Sequence, residues 1–447
     1  MNRCLKLFFL LLAASLLITA CQKEEIPDNN GQTNPVDNKE DAEDDGVYKG
    51  LIPQVCDELP KLYIDTPLGV GVSSDKTVWT KLCRIKILVK VDGVERTVYE
   101  SDSLRIRGRG NSTWTYYPKK PYRFNLKKKA NFIGSGQTKK WVLLANWMDR
   151  TLLRNDVALE AARRTSLEWT PSGTFVEFYL DGKHMGNYWL GEKVNVEKGN
   201  FLADYLYSFD TSGNIDDADF TTSQGYWNKE RKKNGGIPTY IKYPDLDDAE
   251  DVDAAVLSAK NALYAAESAI YSNNWKSVLD MDSFVDMLLV NELVQNQEIR
   301  HPKSFYVYLR DGKLYAGPVW DFDWGTFTRS DYYAKSHKNL NDVNAIYYNR
   351  LMSLPEFKNR FKERWKTLKP QFVALLDYID EKAAWIKSSE AVNQSMWPCY
   401  PNPFSGSEGT DGRINFDELM TFDEAVQEMK TALSERIEIM DSLIDKL

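Results

Sequence analysis

Histidine is nearly absent, with three in 447 residues: His184, His301 and His337. They are too few and too scattered for a histidine-based zinc site. Cysteine is scarce too, at five, and none has metal-ligand spacing. With Cys4 and Cys21 set aside, Cys56, Cys83 and Cys399 are odd in number. A Cys56–Cys83 disulfide and buried free thiols both stay open. The chain lacks the strand–helix alternation of dinucleotide-binding folds, and it has no internal repeat. An excess of basic charge is missing as well: the formal net charge is −8, so nothing points to a nucleic-acid partner.

What is present begins with a targeting pattern. Arg3 and Lys6 precede an apolar run, Leu7 to Ile18, that is too short to span a bilayer as a stable helix. The run ends in Leu17-Ile18-Thr19-Ala20-Cys21, which resembles the lipobox of bacterial lipoproteins. That resemblance implies a signal peptide over 1–20, acylation of Cys21 and a membrane anchor through its lipid. Gln22-Lys23-Glu24-Glu25 resembles the sorting signal of surface-exposed Gram-negative lipoproteins, so the expected location is the outer membrane, at the cell surface. Residues 21–47 read as a disordered acidic tether. Nine acidic residues and two lysines between Gln22 and Gly46, with almost no apolar ones, cannot build a core. Most of the net charge belongs to this segment.

Aromatic residues make up 13% of the chain, enough for a substantial core and also in keeping with a glycan- or peptide-binding cleft. Residues 48–195 read as a strand-rich N-terminal lobe. Lys61–Asp65, Cys83–Val89 and Tyr122–Leu126 alternate or run apolar, and Asp92-Gly93 and Asp181-Gly182 are hairpin turns. One helix interrupts, carrying Leu152, Leu153, Val157, Ala158, Ala161 and Ala162 on one stripe. Residues 196–370 read as a helical lobe, with a polar, Gly-rich loop over 210–240 and a helix over 282–296 capped by Asp282. Residues 371–447 read as a helical extension broken by a loop around 398–412. The fold class is therefore α+β, with two lobes.

The chemistry concentrates after the 282–296 helix. A polar loop, Gln297 to Ser304, leads to a strand at Phe305–Leu309, an Asp311-Gly312 turn and a return strand. Asp321-Phe322-Asp323 follows directly. Two carboxylates one residue apart at the end of a strand suit a divalent cation held against phosphate oxygens. Helix, loop, hairpin and acidic motif, in that order and with Glu298 23 residues before Asp321, is the arrangement of protein kinases. Upstream, Arg107-Gly108-Arg109-Gly110-Asn111 is a basic Gly-containing loop, and Lys119-Lys120-Pro121-Tyr122-Arg123 enters a strand. Such loops bring backbone N–H groups and cations to phosphate. Glu192-Lys193 closes another strand and offers an acid to orient a lysine.

Five segments in order resemble the motifs of the CotH kinase family: Arg107 to Trp114, Lys119 to Arg123, Asn146-Trp147-Met148-Asp149 with Leu153-Arg154-Asn155, Gly186 to Lys193, and Gly317 to Gly325. The resemblance covers about residues 60–370. It implies an atypical protein-kinase-like fold and phosphate transfer from ATP, with Mg²⁺ (or Mn²⁺), to Ser/Thr hydroxyls of a protein acceptor. It makes Asp321 and Asp323 metal ligands and places Lys120 or Arg123 on the phosphates, beside the Arg107, Arg109 and Asn111 loop. Glu192 would orient the lysine. Glu298 would be the catalytic base and Ser304 a second metal ligand, where the family pattern has Asp and Asn.

Two other function classes fit parts of the sequence. One is a non-catalytic binding or adhesion module that recognises nucleotide, glycan or peptide, with Tyr116, Tyr117, Trp227 and Tyr332 as contact aromatics. The other is a metal-dependent glycosyltransferase acting through Asp321 and Asp323, which the missing Rossmann-like alternation disfavours.

Overall fold

The computed structural model describes residues 51–53, 56–197, 201–211, 217–228, 233–296, 298–300, 302–330, 336–401 and 413–447. The expected signal segment, Cys21 and the tether fall outside these, as do His301, Tyr332 and the Trp227 side chain.

Period-two apolar patterns build the first sheet. Cys83, Ile85, Ile87 and Val89 of β2 (Thr80–Val91) alternate inward, as do Leu62 and Ile64 of β1 (Lys61–Asp65). With β3 (Val94–Gly108), β4 (Tyr122–Ala130), β5 (Thr138–Leu144), β6 (Gly173–Leu180) and β7 (Lys183–Glu192) they close a barrel in the order β1-β2-β3-β4-β5-β7-β6. The closing pair, β1 with β6, is parallel. Asp92-Gly93 and Asp181-Gly182 turn their hairpins with both residues at positive φ, the geometry that matches strand twist. Phe124, Trp141, Phe178 and Tyr188 help fill the interior.

A second, five-stranded antiparallel sheet follows. It comprises β8 (Tyr205–Phe209), β9 (Phe220–Asn228), β10 (Lys233–Tyr243), β11 (Phe305–Arg310) and β12 (Lys313–Ala316), in the order β12-β11-β8-β10-β9. The polar stretch expected to loop over 210–240 thus contributes two strands. β10 pairs with β8 and β9 with β10, which places the second sheet inside the part expected to be helical.

The barrel is interrupted by α1 (Ser112–Thr115) and α2 (Arg154–Arg163). Beyond β10 come α3 (Val252–Ile270), α4 (Trp275–Val278), α5 (Met281–Val294), α6 (Tyr348–Leu351), α7 (Pro355–Val373), α8 (Leu375–Met396) and α9 (Phe422–Asp445). α5 is buried on every side from Ser283 to Val294, so it is the central helix. Its cap is Asp280, whose carboxylate accepts from Ser283 N–H at 2.9 Å, and not Asp282. Asp282 instead pairs with Arg360 on α7, at 2.7 and 2.8 Å. One apolar core runs from Val142, Phe175 and Trp189 on the outer barrel wall through α2 and α5 to Met440 in α9. The chain is mixed α/β, strand-rich first and helix-rich later. Among the described residues no helix is long and apolar enough to cross a membrane. Cys56, Cys83 and Cys399 are buried free thiols, and Tyr117 is buried where a contact aromatic was expected; Tyr116 beside it is exposed.

Candidate active site

A cleft of about 470 Å³ lies between one end of the barrel and the second sheet. The ends of β3, β4 and β7 supply Arg107, Arg109, Asn111, Arg123 and Lys193. The facing side supplies Asp210, Glu298, Ser304, Asp321 and Asp323, together with Lys242 and Lys303. Cations dominate one wall and carboxylates the other.

The acidic arm leaves β12 and turns sharply. Asp321 sits at φ +73°, a left-handed conformation that a non-glycine residue holds only where its surroundings fix it. Those fixings are visible. Asn155 accepts from the N–H of Phe322 at 2.8 Å, and Asn415 accepts from the N–H of Gly325 at 2.8 Å. Asn415 also donates to the carbonyls of Asp323 and Met148, at 3.1 and 3.0 Å. Arg154 donates through Nε to the carbonyl of Thr326 at 2.9 Å and pairs with Asp149 and, at 2.7 Å, with Asp417. The Asn-Trp-Met-Asp and Leu-Arg-Asn segments of the sequence are therefore the brace of the acidic arm.

The carboxyls are under electrostatic load. Burial pushes Asp323 up to about 7, with Asp321 beside it adding to the rise and Arg109 opposing it. Asp321 is raised by burial against the pull of Arg109 and of the Ser304 hydroxyl, which donates to its Oδ2 at 3.1 Å. Glu298 is raised well above the carboxylate range by burial and by Asp321, and its Oε2 is buried without a partner. Among the described residues no group of three or more His, Cys, Asp and Glu side chains forms a metal cage. Mg²⁺ does not need one, because it takes one or two carboxylates and completes its shell with water and phosphate oxygens. Two desolvated carboxylates and an orphaned third fit such an ion.

Most of the residues expected from sequence converge here: Glu298, Ser304, Asp321, Asp323, Arg107, Arg109, Asn111 and Arg123 all line the cleft. Asn111 accepts from Lys76 Nζ at 2.9 Å, which ties the basic loop to the segment before β2. A Cβ at Gly108 would run into the Trp114 ring, and one at Gly110 into the Thr113 side chain. These glycines therefore serve packing within the loop. Two expectations fail. Lys120 turns away from the cleft, and its amine donates to the carbonyl of Trp114 at 2.6 Å. Glu192 is buried in the barrel wall, accepts from Ser172 N–H at 3.1 Å and pairs with no lysine among the described residues. Successive strand side chains face opposite ways, so the cleft receives the next residue instead, Lys193. That alternation is the signal that would have found it. Lys193 is pushed down to about 7 by burial and by Arg123, Lys140, Lys242 and Arg109. Asn415 carried no sequence signal, since it lies about ninety residues beyond the arm it holds.

No curated protein gives a significant match to the chain. The family described as CotH kinase protein matches residues 105–440. The match begins later than the expected start near 60 and extends past 370, so it takes in Asn415 and Asp417 of the brace. With three quarters of the sequence covered and every motif inside the match, the chain belongs to the CotH kinase family.

Proposed function

We propose that the protein transfers the γ-phosphoryl group of ATP to a Ser or Thr hydroxyl of a protein acceptor. The observation that supports this most is the two-signed cleft: phosphate-directed cations on the barrel wall face Asp321, Asp323 and Glu298 on the other. In this reading the barrel and the helical part act as the two lobes of a kinase-like enzyme. Arg109, Arg123 and Lys193 hold the phosphates, and Asp321 and Asp323 hold Mg²⁺ or Mn²⁺. The bound ion would neutralise charge on the phosphate oxygens and orient them for in-line attack. The acceptor oxygen forms a bond to the γ-phosphorus as the bond to the β-phosphate oxygen breaks. The acceptor proton passes to the Glu298 carboxylate, and ADP leaves. We also propose that acylated Cys21 anchors the protein at the outer membrane. Cys21→Ser leaving it in the membrane fraction would argue against this.

The test is transfer of labelled phosphate from ATP to a Ser-containing protein with Mg²⁺ or Mn²⁺. Incorporation that persists in Asp321→Ala overturns the reading. One observation favours a second reading, a nucleotide-binding module without turnover. Ser304 already donates to Asp321, and burial and the neighbouring Asp321 both work against the charged form of Glu298. Mg-ATP stabilisation that Asp321→Ala abolishes, without any transfer, decides for that module.

A further inference from the structure

Beside the cleft, three guanidinium groups share one indole. Arg105, Arg107 and Arg123 place Cζ at 4.4, 4.7 and 4.8 Å from the ring centroid of Trp79. The arrangement follows from strand geometry. Arg105 and Arg107 lie two apart on β3 and so face the same side, and Arg123 is the β4 residue paired with Arg107. The aromatic face attracts each cation, but the cations repel one another. Six arginines of the protein, Arg150, Arg154, Arg310, Arg360, Arg364 and Arg436, each pair with a carboxylate. Among the described residues none of the three around Trp79 has such a pair. The acid nearest in influence, Asp75, is engaged with Thr77 at 2.8 and 2.7 Å.

The donors of this cluster are only partly used. Arg107 gives Nη1 to the carbonyl of Thr77 at 2.9 Å, while Nε of Arg107 and Nε of Arg123 are buried without acceptors. Arg107 and Arg123 reach the cleft wall, but Trp79 and the exposed Arg105 lie outside its lining. The cluster therefore extends the cationic wall past the cleft, away from the acidic arm. A ligand that uses Arg105 sits beside the phosphate-holding residues.

We propose that Trp79, Arg105 and Arg107 form a docking site for an acidic segment of the acceptor protein. Only the word acceptor rests on the phosphoryl-transfer reading; the binding of acidic peptide does not. The guanidinium fork matches a carboxylate bidentately. An extended chain presents alternate side chains about 6.6 Å apart, the same repeat that separates Arg105 from Arg107 along β3. The preferred segment therefore has acidic residues at alternate positions on one side of the target Ser.

The probe is a fluorescein-labelled peptide with Glu at alternate positions beside one Ser, and a second with Lys in place of Glu. Anisotropy is read on the full-length protein in detergent, with and without ATP and Mg²⁺. The acidic peptide binds and the lysine peptide does not. Trp79→Ala and Arg105→Glu each weaken it at least tenfold, Arg105→Lys keeps part of the affinity, and Mg-ATP stabilisation is the same in both Arg105 variants. Acidic-peptide binding that ignores Arg105→Glu overturns the proposal. So does its displacement by tripolyphosphate, which would assign the platform to the phosphate donor. Transfer of phosphate to both peptides alike sinks the docking site and leaves the kinase reading standing. Specific binding without transfer sinks the kinase reading and leaves the docking site.

Discussion

The side-chain oxygen of Asn155 accepts the backbone N–H of Phe322 at 2.8 Å, so the turn bearing both acidic residues hangs from the first turn of α2. The same amide donates to Asn146 Oδ1 at 3.1 Å, and Asn146 donates to the carbonyl of Leu152 at 3.1 Å. A short polar chain thus runs from the end of β5 through α2 to the acidic arm. Removing Asn155 leaves the N–H of Phe322 buried and unpaired, a loss of about 1–3 kcal/mol. Asn155→Ala should weaken Mg-dependent ATP binding about tenfold, the equivalent of about 1.4 kcal/mol. Its metal-free binding of tripolyphosphate, which the opposite wall holds, should be unchanged. Titration calorimetry on both ligands checks this, and equal loss of both would mean that the variant is misfolded.

Asp323 and Asp321 illustrate a site arranged at the expense of the empty fold. Both carboxyls are raised by burial, and in Asp323 the neighbouring Asp321 adds to the rise. Replacing one desolvated acid with its neutral isostere relieves that repulsion. Asp323→Asn should therefore melt at a higher temperature than the parent without ligands and gain nothing from Mg-ATP. Scanning calorimetry with and without Mg-ATP reads both. A lower melting temperature in the ligand-free variant would show that Asp323 supports the fold instead.

Three Asp-Gly turns were legible in the sequence because positive φ at both positions singles out those residue types, and all three occur, at 92–93, 181–182 and 311–312. The acidic arm was legible for a related reason: its hairpin fixes where the chain goes next. Lys120 and Glu192 were misplaced because a motif names neighbours without saying which of two adjacent strand residues faces the ligand. The strands β9 and β10 were hidden by Thr, Ser and Gly, which pair as backbone while burying little side chain. Asn415 and Asp417 were out of reach for a different cause. Their contacts cross from 90 to 267 residues of chain, and only the folded core brings those ends together.

Arg154, one of the bracing side chains, is fully buried between Asp149 and Asp417. Burial and Asp149 raise the Asp417 carboxyl to about 6 even though Arg154 pulls it down. Without the guanidinium, two acids would remain buried and uncompensated, which costs about 3–5 kcal/mol. Arg154→Met should lose that much stability in urea unfolding. Adding Asp417→Asn should recover part of the loss, because one of the stranded charges is then gone. If the double variant is no more stable than the single one, Asp417 does not carry the penalty.

Lys193 gives the cleft a pH dependence with a definite sign. Its amine stands among Arg123, Lys140, Lys242 and Arg109, which together with burial hold it down to about 7. Only the protonated amine attracts an anion. The charged form outnumbers the neutral about tenfold at pH 6 and is outnumbered about tenfold at pH 8. Anion binding without metal should therefore weaken as pH rises across this window. Sulfate is the suitable probe, because its own charge is constant there. Stabilisation by sulfate in a thermal shift, which grows with the ratio of ligand to dissociation constant, should fall from pH 6 to pH 8 in the parent protein. Lys193→Met should show the smaller stabilisation at both pH values, which also removes the general salting effect of sulfate from the comparison. Lys193→Arg stays charged throughout and should bind at both pH values without the slope. A parent protein whose sulfate response does not change with pH would mean that Lys193 does not titrate near neutrality, and the charge of the barrel wall would then be fixed.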